Sequence, residues 1–110
     1  MGGTDPETGG WAEAYRKLRL CSGGGGFEAI PARPLTLDLQ GVRRRLERAN
    51  VPVVDARVML IASMDVEVTV SRAGRILFKT AEAAVADRAF AAMLAFLGPF
   101  PPRAERAPPQ

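Results

Sequence analysis

VEVTVSRAGRILFKT, residues 66–80, contains the clearest structural pattern in the sequence. Its first half alternates valine with polar residues, which is the period of a strand with one buried face. The segment RAGR then predicts a hairpin turn, with Gly74 at the position that needs a positive φ. The return strand has the same alternation, so both strands offer one apolar face. The side chains predicted to face the core are Val66, Val68, Val70, Ile76 and Phe78.

A third strand and two helices are predicted beside the hairpin. RVMLIAS (57–63) is apolar and β-branched enough for a strand, which extends the hairpin to a meander. Residues 38–49 have apolar side chains at helical spacing, and Asn50 suits a left-handed cap. Residues 81–97 carry a wide apolar stripe, with Thr80 as the predicted N-cap. The expected fold class is α+β, a small three-stranded antiparallel meander with both helices on one face, in the order helix-strand-strand-strand-helix.

The N-terminal part of the chain has a different character. Residues 11–20, WAEAYRKLRL, have apolar side chains at helical spacing and predict a short amphipathic helix. CSGGGG (21–26) reads as a linker, and FEAI (27–30) as a short strand. The pattern divides the chain into an N-terminal tail with a short helix and Gly-rich linker (1–27), an α+β domain (28–98) and a disordered Pro-rich tail (99–110).

The composition excludes most catalytic chemistry. The chain has 110 residues, a formal net charge of +3, no histidine and one cysteine. Without histidine it lacks the usual general base, and one cysteine cannot form the paired motifs of a structural zinc site. We therefore expect no enzyme activity, no cofactor and no metal. The lone thiol, the missing secretory signal and the missing apolar run of about 20 residues predict a cytoplasmic protein without a membrane span.

The order of several short motifs resembles the C-terminal region of ThiF/MoeB/HesA-type adenylyltransferases. Those enzymes commonly end with a Cys-Gly-Arg element, a Leu-Asp-Leu that opens a helix, a meander with Gly-Arg at its hairpin turn, and an alanine-rich helix ending in Gly. The resemblance covers about residues 21–98. The matching residues are Leu37-Asp38-Leu39, Glu67-Val68-Thr69-Val70, Gly74-Arg75 and Gly98.

The resemblance implies a role in the activation of sulfur-carrier or ubiquitin-like proteins. Members of the family adenylate the carrier on a nucleotide-binding domain that precedes this region, and no Gly-x-Gly-x-x-Gly after a strand or phosphate loop is present here. The four-cysteine zinc site of many relatives is also absent. The sequence ends APPQ, whereas carriers of this pathway end in Gly-Gly. We therefore expect a non-catalytic accessory or partner-binding domain, whose partner is an adenylyltransferase, a carrier protein or a second copy of the chain.

Five residues are candidates for function. Cys21 is either a thiol that accepts a carrier or sulfur, or an ordinary thiol at a helix end. Arg75, with Gly74, either contacts an acidic tail of a partner or is a solvated arginine at a hairpin tip. Arg44 and Arg48 lie one helical turn apart, and form either a partner-binding surface or a solvated helix face.

The sequence is also compatible with two alternatives to the accessory-domain interpretation. The run RRRLER (43–48) would suit a small basic α+β module that binds nucleic acid, although the chain has few aromatic residues for base stacking. The chain could also be a remnant without a present role. Association is predicted in either case, because Met59, Ile61 and Leu77 fall on the second face of the meander beside polar residues.

Overall fold

The computed structural model describes residues 10–21 and 23–102. Three helices are present in this part of the chain: α1 (Trp11–Ala14), α2 (Leu39–Arg48) and α3 (Ala83–Leu94). The strands in it are β1 (Arg19–Leu20), β2 (Phe27–Ala29), β3 (Val53–Asp55), β4 (Met59–Ser63), β5 (Glu67–Ser71) and β6 (Ile76–Phe78). They form one antiparallel sheet in the order β1-β2-β6-β5-β4-β3. The parts of the predicted tails at 1–9 and 103–110 lie outside the described residues.

The α+β class is confirmed, but the predicted three-stranded meander is only half of the sheet. The meander itself is β4, β5 and β6, with the predicted strand alternation. β3 extends it beyond β4, and the β1–β2 hairpin extends it beyond β6. The predicted short N-terminal helix is present as α1 but does not extend over 11–20, because it ends at Ala14 and Tyr15 is already extended. The predicted short strand at 27–30 is confirmed as β2, and it pairs with β6.

Both long helices cover the same face of the sheet. α2 packs on β3 and β4, and α3 packs on β2 and β6. Between helices and sheet lies one apolar core, which includes all five predicted inward side chains of the hairpin, Val66 being only half-buried. Because successive side chains of a strand point to opposite faces, the polar residues that alternate with these core residues lie on the opposite face of the sheet.

The packed unit extends beyond residues 28–98 at both ends. Trp11 is fully buried, and its indole Nε1 donates a hydrogen bond of 2.7 Å to the carbonyl of Gly98. Phe100 lies edge-on against the same indole, with ring centroids 5.0 Å apart. Tyr15 is also buried in the core. Trp11 and Tyr15, which the sequence places in the N-terminal tail, therefore belong to the core, and the exposed Phe100 of the C-terminal tail packs against Trp11.

The helix ends follow the sequence signals at α2 but not at α3, which ends at Leu94, short of the predicted end at residue 97. Asp38 caps α2 by accepting a hydrogen bond from the backbone N–H of Gly41 at 3.2 Å. Asn50 has a φ of 61°, as predicted for the residue that ends this helix. The prediction of Thr80 as the N-cap of α3 is wrong, since Glu82 occupies that position. The Thr80 hydroxyl instead accepts a hydrogen bond from the Glu82 N–H at 3.1 Å, in the turn that precedes the helix.

Candidate partner-binding surface

One face of the sheet carries no helix among the described residues, and we call it the outer face. Its central row crosses β2, β6, β5, β4 and β3, and consists of Glu28, Leu77, Thr69, Ile61 and Val54. Leu77 is 37% exposed and Val54 is 62% exposed. The register therefore places Ile61 and Leu77 on this face, as the alternation predicts, and adds Val54 to them. The outer face is a mixed surface with apolar side chains between charged ones.

A cluster of three charged residues lies at the β2 side of the outer face. Glu28 is only 4% exposed although it lies on this open face, because two arginines cover its carboxylate. Arg19 Nε donates to Oε2 at 2.7 Å, and Arg75 donates to Oε1 through Nε at 2.9 Å and also through Nη2. Both arginine side chains remain more than half exposed. We call these three residues the arginine pair with its carboxylate.

The hydrogen bonds fix the charge of this cluster. Those from Arg19, and then those from Arg75, hold the pKa of Glu28 below its usual range. Glu28 is therefore ionised at neutral pH, and one of the two positive charges is not compensated within the cluster. A surface with a residual positive charge and exposed guanidinium groups favours a negatively charged partner.

Gly74 and Arg75 have different environments although they are adjacent. Gly74 is buried with a φ of 90°, which confirms the prediction of a positive φ at the turn. The Tyr15 hydroxyl donates a hydrogen bond of 2.5 Å to its carbonyl, and Leu35 packs on its α-carbon. Burial raises the pKa of Tyr15 far above its ordinary value. Gly74 is thus part of the core, and Arg75 alone of the two reaches the outer face.

The structure does not bring together all the arginines that the sequence singles out. Arg44 and Arg48 are exposed on α2, which covers the inner face of the sheet. Arg75 lies on the outer face, beyond the sheet from this helix. A single partner surface of ordinary size would contact one group or the other, because the sheet and the helix layer separate them.

The other two arginines of the basic run have partners within the chain. Arg43 donates to Glu47 and to Asp55, each at 3.1 Å. Arg45 Nη1 donates to the carbonyl of Phe96 at 3.1 Å, and this contact links α2 to the end of α3. Half of the run is therefore occupied with contacts that stabilise the fold.

Cys21 lies in the β1–β2 hairpin rather than at a helix end. Its N–H donates to the Gly26 carbonyl at 2.7 Å, and its carbonyl accepts from the Gly24 N–H at 2.8 Å. The glycine segment is therefore a hairpin turn, which corrects its interpretation as a linker. The thiol is half-buried. No group of three or more metal-ligating side chains occurs within 10–21 and 23–102.

Sequence reasoning missed two features of the surface. One is the pairing of Glu28 with Arg19 and Arg75, for which an acidic residue in an otherwise apolar strand was the available signal. The other is a cavity of about 410 Å³ between the segment 32–36, α1 and the segment 100–102. Proline, leucine and phenylalanine side chains make up much of its wall, with Glu13 and Arg33 among the lining residues. The proline-rich segments PARP and PFPP were its signal in the sequence.

Comparisons with protein-family models, curated proteins and solved structures found no match. Over the described ranges, the longest helices are too short or too polar to cross a membrane.

Proposed function

We propose that this chain is a non-catalytic partner-binding domain that binds another protein through the outer face of its sheet. The observation that supports this most directly is the row of Leu77, Thr69, Ile61 and Val54, which is open to solvent on a sheet whose other face is covered. Apolar patches rimmed by polar residues are typical of protein contact sites. Burial of such a row by a partner would remove apolar surface from water.

The resemblance to ThiF/MoeB/HesA-type adenylyltransferases supplies the class of partner. In such enzymes this region is expected to pack against the rest of the protein, so it is expected to have a surface that contacts another protein domain. The proposed partner is accordingly an adenylyltransferase of this type or its sulfur-carrier or ubiquitin-like substrate. A second copy of the chain is the competing occupant of the same face.

The nucleic-acid alternative has less support from the contacts. Arg43 and Arg45 are engaged with the chain's own carboxylates and carbonyl groups, which leaves Arg44 and Arg48 as the exposed arginines of the run. The central row of the outer face contains no aromatic residue on which a base could stack. The protein-binding interpretation uses more of the observed surface.

Sedimentation velocity of the full chain, alone and with candidate adenylyltransferase and carrier proteins, tests the proposal. We expect a faster-sedimenting complex in one of these mixtures, and Leu77→Glu should abolish it by placing a charge in the apolar row. Ala91→Glu is the matched control, because Ala91 is exposed on α3 and the same charge there lies on the helix layer. A monomer in every mixture, or a complex that Leu77→Glu leaves intact, would overturn the proposal.

A further inference from the structure

The segment 15–20 forms one edge of the sheet. On its inner side β1 pairs with β2, Arg16 N–H donates to the Ile30 carbonyl at 3.0 Å, and Tyr15 forms a bridge with Pro31. On its other side no strand follows within the described residues. Unpaired backbone groups of an edge strand are a template for an additional strand from another chain.

Three of the six residues along this edge are basic, and the half-exposed Leu20 lies at its end. Arg16, Lys17 and Arg19 are all exposed, and Arg75 reaches the same end of the outer face through Glu28. Glu28 is the one acidic residue in the sequence from 15 to 31, and both of its oxygens are already occupied. An incoming strand at this edge would therefore meet a positive surface, which is complementary to an acidic one.

The guanidinium groups of the arginine pair are held in position. Arg19 uses Nε for Glu28, so neither terminal nitrogen takes part in that contact; Arg75 uses Nε and Nη2, which leaves Nη1. Glu28 thus holds two guanidinium groups that still have N–H donors outside these contacts and remain more than half exposed. Orientation before binding reduces the entropy lost when an arginine contacts a carboxylate.

From this edge and this cluster we propose that the β1 edge binds an extended acidic segment of a partner protein. The segment pairs with the backbone of residues 16–20 and places alternate carboxylates on the outer face, next to Arg19, which shares Glu28 with Arg75. This inference rests on the proposed role in partner binding and names the chemistry of the partner. Basic residues on an edge can also act to prevent strand pairing, and the experiment below separates the two roles.

An NMR titration of the nitrogen-15-labelled full chain tests the inference. The probe is a short synthetic peptide of alternating glutamate and threonine, blocked at both ends, and its glutamine–threonine counterpart is the uncharged reference. We expect the acidic peptide to shift the backbone amides of residues 16–20 and the Nε–H signals of Arg19 and Arg75. Added salt should weaken the binding, and the glutamine peptide should leave these signals in place.

Variants identify which charges act. Arg19→Gln should weaken binding of the acidic peptide about tenfold, because a charge-assisted hydrogen bond is lost. Lys17→Gln should also weaken it. The hydrogen bonds and ion pairs of Glu28 do not involve Lys17, so this variant keeps the test valid if Arg19→Gln disturbs the fold. Arg48→Gln is the matched control on the helix layer, and it should bind like the parent chain.

The inference would be overturned by no shift at residues 16–20, by equal binding of the glutamine peptide, or by shifts centred on Arg44 and Arg48. A short oligothymidine that shifts the same edge as strongly as the peptide would assign the site to polyanions in general, which also overturns it. Because the titration uses no partner protein, its result is separate from the sedimentation test. A complex that depends on Leu77, without peptide binding, contradicts only the edge inference.

Discussion

Replacing Gly74 with alanine is expected to destabilise the protein through two separate effects. Gly74 has a φ of 90°, and a non-glycine residue held in such a conformation costs about 1–3 kcal/mol. An added Cβ would also overlap Cδ1 of Leu35 and lie 3.0 Å from Cγ of Pro31, and overpacking of this kind costs about 1–3 kcal/mol. Together they amount to roughly 2–6 kcal/mol, a large part of the 5–15 kcal/mol typical of a folded domain.

Urea denaturation followed by tryptophan fluorescence measures this loss. Trp11 is the chain's single tryptophan and is fully buried, so its emission reports global unfolding. Gly24→Ala is the matched control, because Gly24 has a φ of 76° but an added Cβ there meets nothing within 4 Å. The difference between the two variants is therefore the packing contribution at Gly74.

A second substitution isolates the contact with Leu35. Leu35→Ala shortens the side chain that the new Cβ would overlap, so it should cost less in the Gly74→Ala background than in the parent chain. Equal losses for Gly74→Ala and Gly24→Ala would refute the packing argument. An unchanged midpoint for Gly74→Ala would refute the requirement for glycine at this turn.

Other substitutions and conditions have defined expectations. Tyr15→Phe should cost about 1–3 kcal/mol in the same urea assay, because the buried Gly74 carbonyl loses its donor, and a parent-like midpoint would contradict this. Because burial raises the pKa of Tyr15, its hydroxyl ionises at lower pH in the unfolded chain than in the folded one, and the free energy of unfolding should fall as pH rises above about 10. The Tyr15→Phe variant should lose less stability over this range. Parallel plots of stability against alkaline pH for the two proteins would contradict this prediction. Because the pKa of Glu28 is lowered in the folded state, its ionised carboxylate stabilises the fold at neutral pH, and this stabilisation is lost as pH falls below about 4.3. Glu28→Gln should therefore lower the urea midpoint at neutral pH, and the midpoints of variant and parent should become equal in acid. A constant difference across that range would show that charge is not the cause. Finally, we expect no pyrophosphate exchange with ATP and a carrier protein, since the sequence has no phosphate-binding loop; exchange above background would contradict the non-catalytic assignment.

The sequence predicts the centre of the sheet because the signals there are local. Alternation across residues 66–80 and the glycine of the turn specify both the strand period and the position of the turn. Asp38 and Asn50 mark the ends of α2 by the same kind of short-range hydrogen bonding and backbone preference. Each signal acts within a few residues, so no knowledge of the remaining fold is needed.

The edges of the sheet are set by tertiary contacts instead. The segment 11–20 has helical spacing, yet the chain becomes extended at Tyr15, where its side chain enters the core and its hydroxyl reaches the hairpin tip. Backbone pairing with β2 then stabilises an extended conformation for residues 15–20. Packing and strand pairing thus override a helical pattern that is only a few residues long. The sequence does not predict β3, which follows directly on the proline after α2, and its extended conformation is set by pairing with β4.

The arginine pair shows the same limit for the candidate surface. Arg19 and Glu28 are nine positions apart, and Glu28 and Arg75 are 47 apart. The register of β1, β2 and β6 is what places these three residues side by side. The predicted meander does not include β1 or the pairing of β1 with β2. The sequence could therefore single out Arg75 through the resemblance, but it could not supply the carboxylate that orients it.

This geometry separates two residues that the sequence treats as one motif. Gly74 lies inside the core, where its conformation and its lack of a side chain allow Tyr15 and Leu35 to pack against the turn. Arg75 lies on the outer face, where it shares Glu28 with Arg19. A change at Gly74 should therefore act through stability, whereas Arg75→Gln leaves Glu28 its contact with Arg19 and should act mainly on recognition of acidic segments. A Gly-Arg turn of this kind couples hairpin folding to the placement of a positive charge, because only a correctly formed turn brings Arg75 to Glu28.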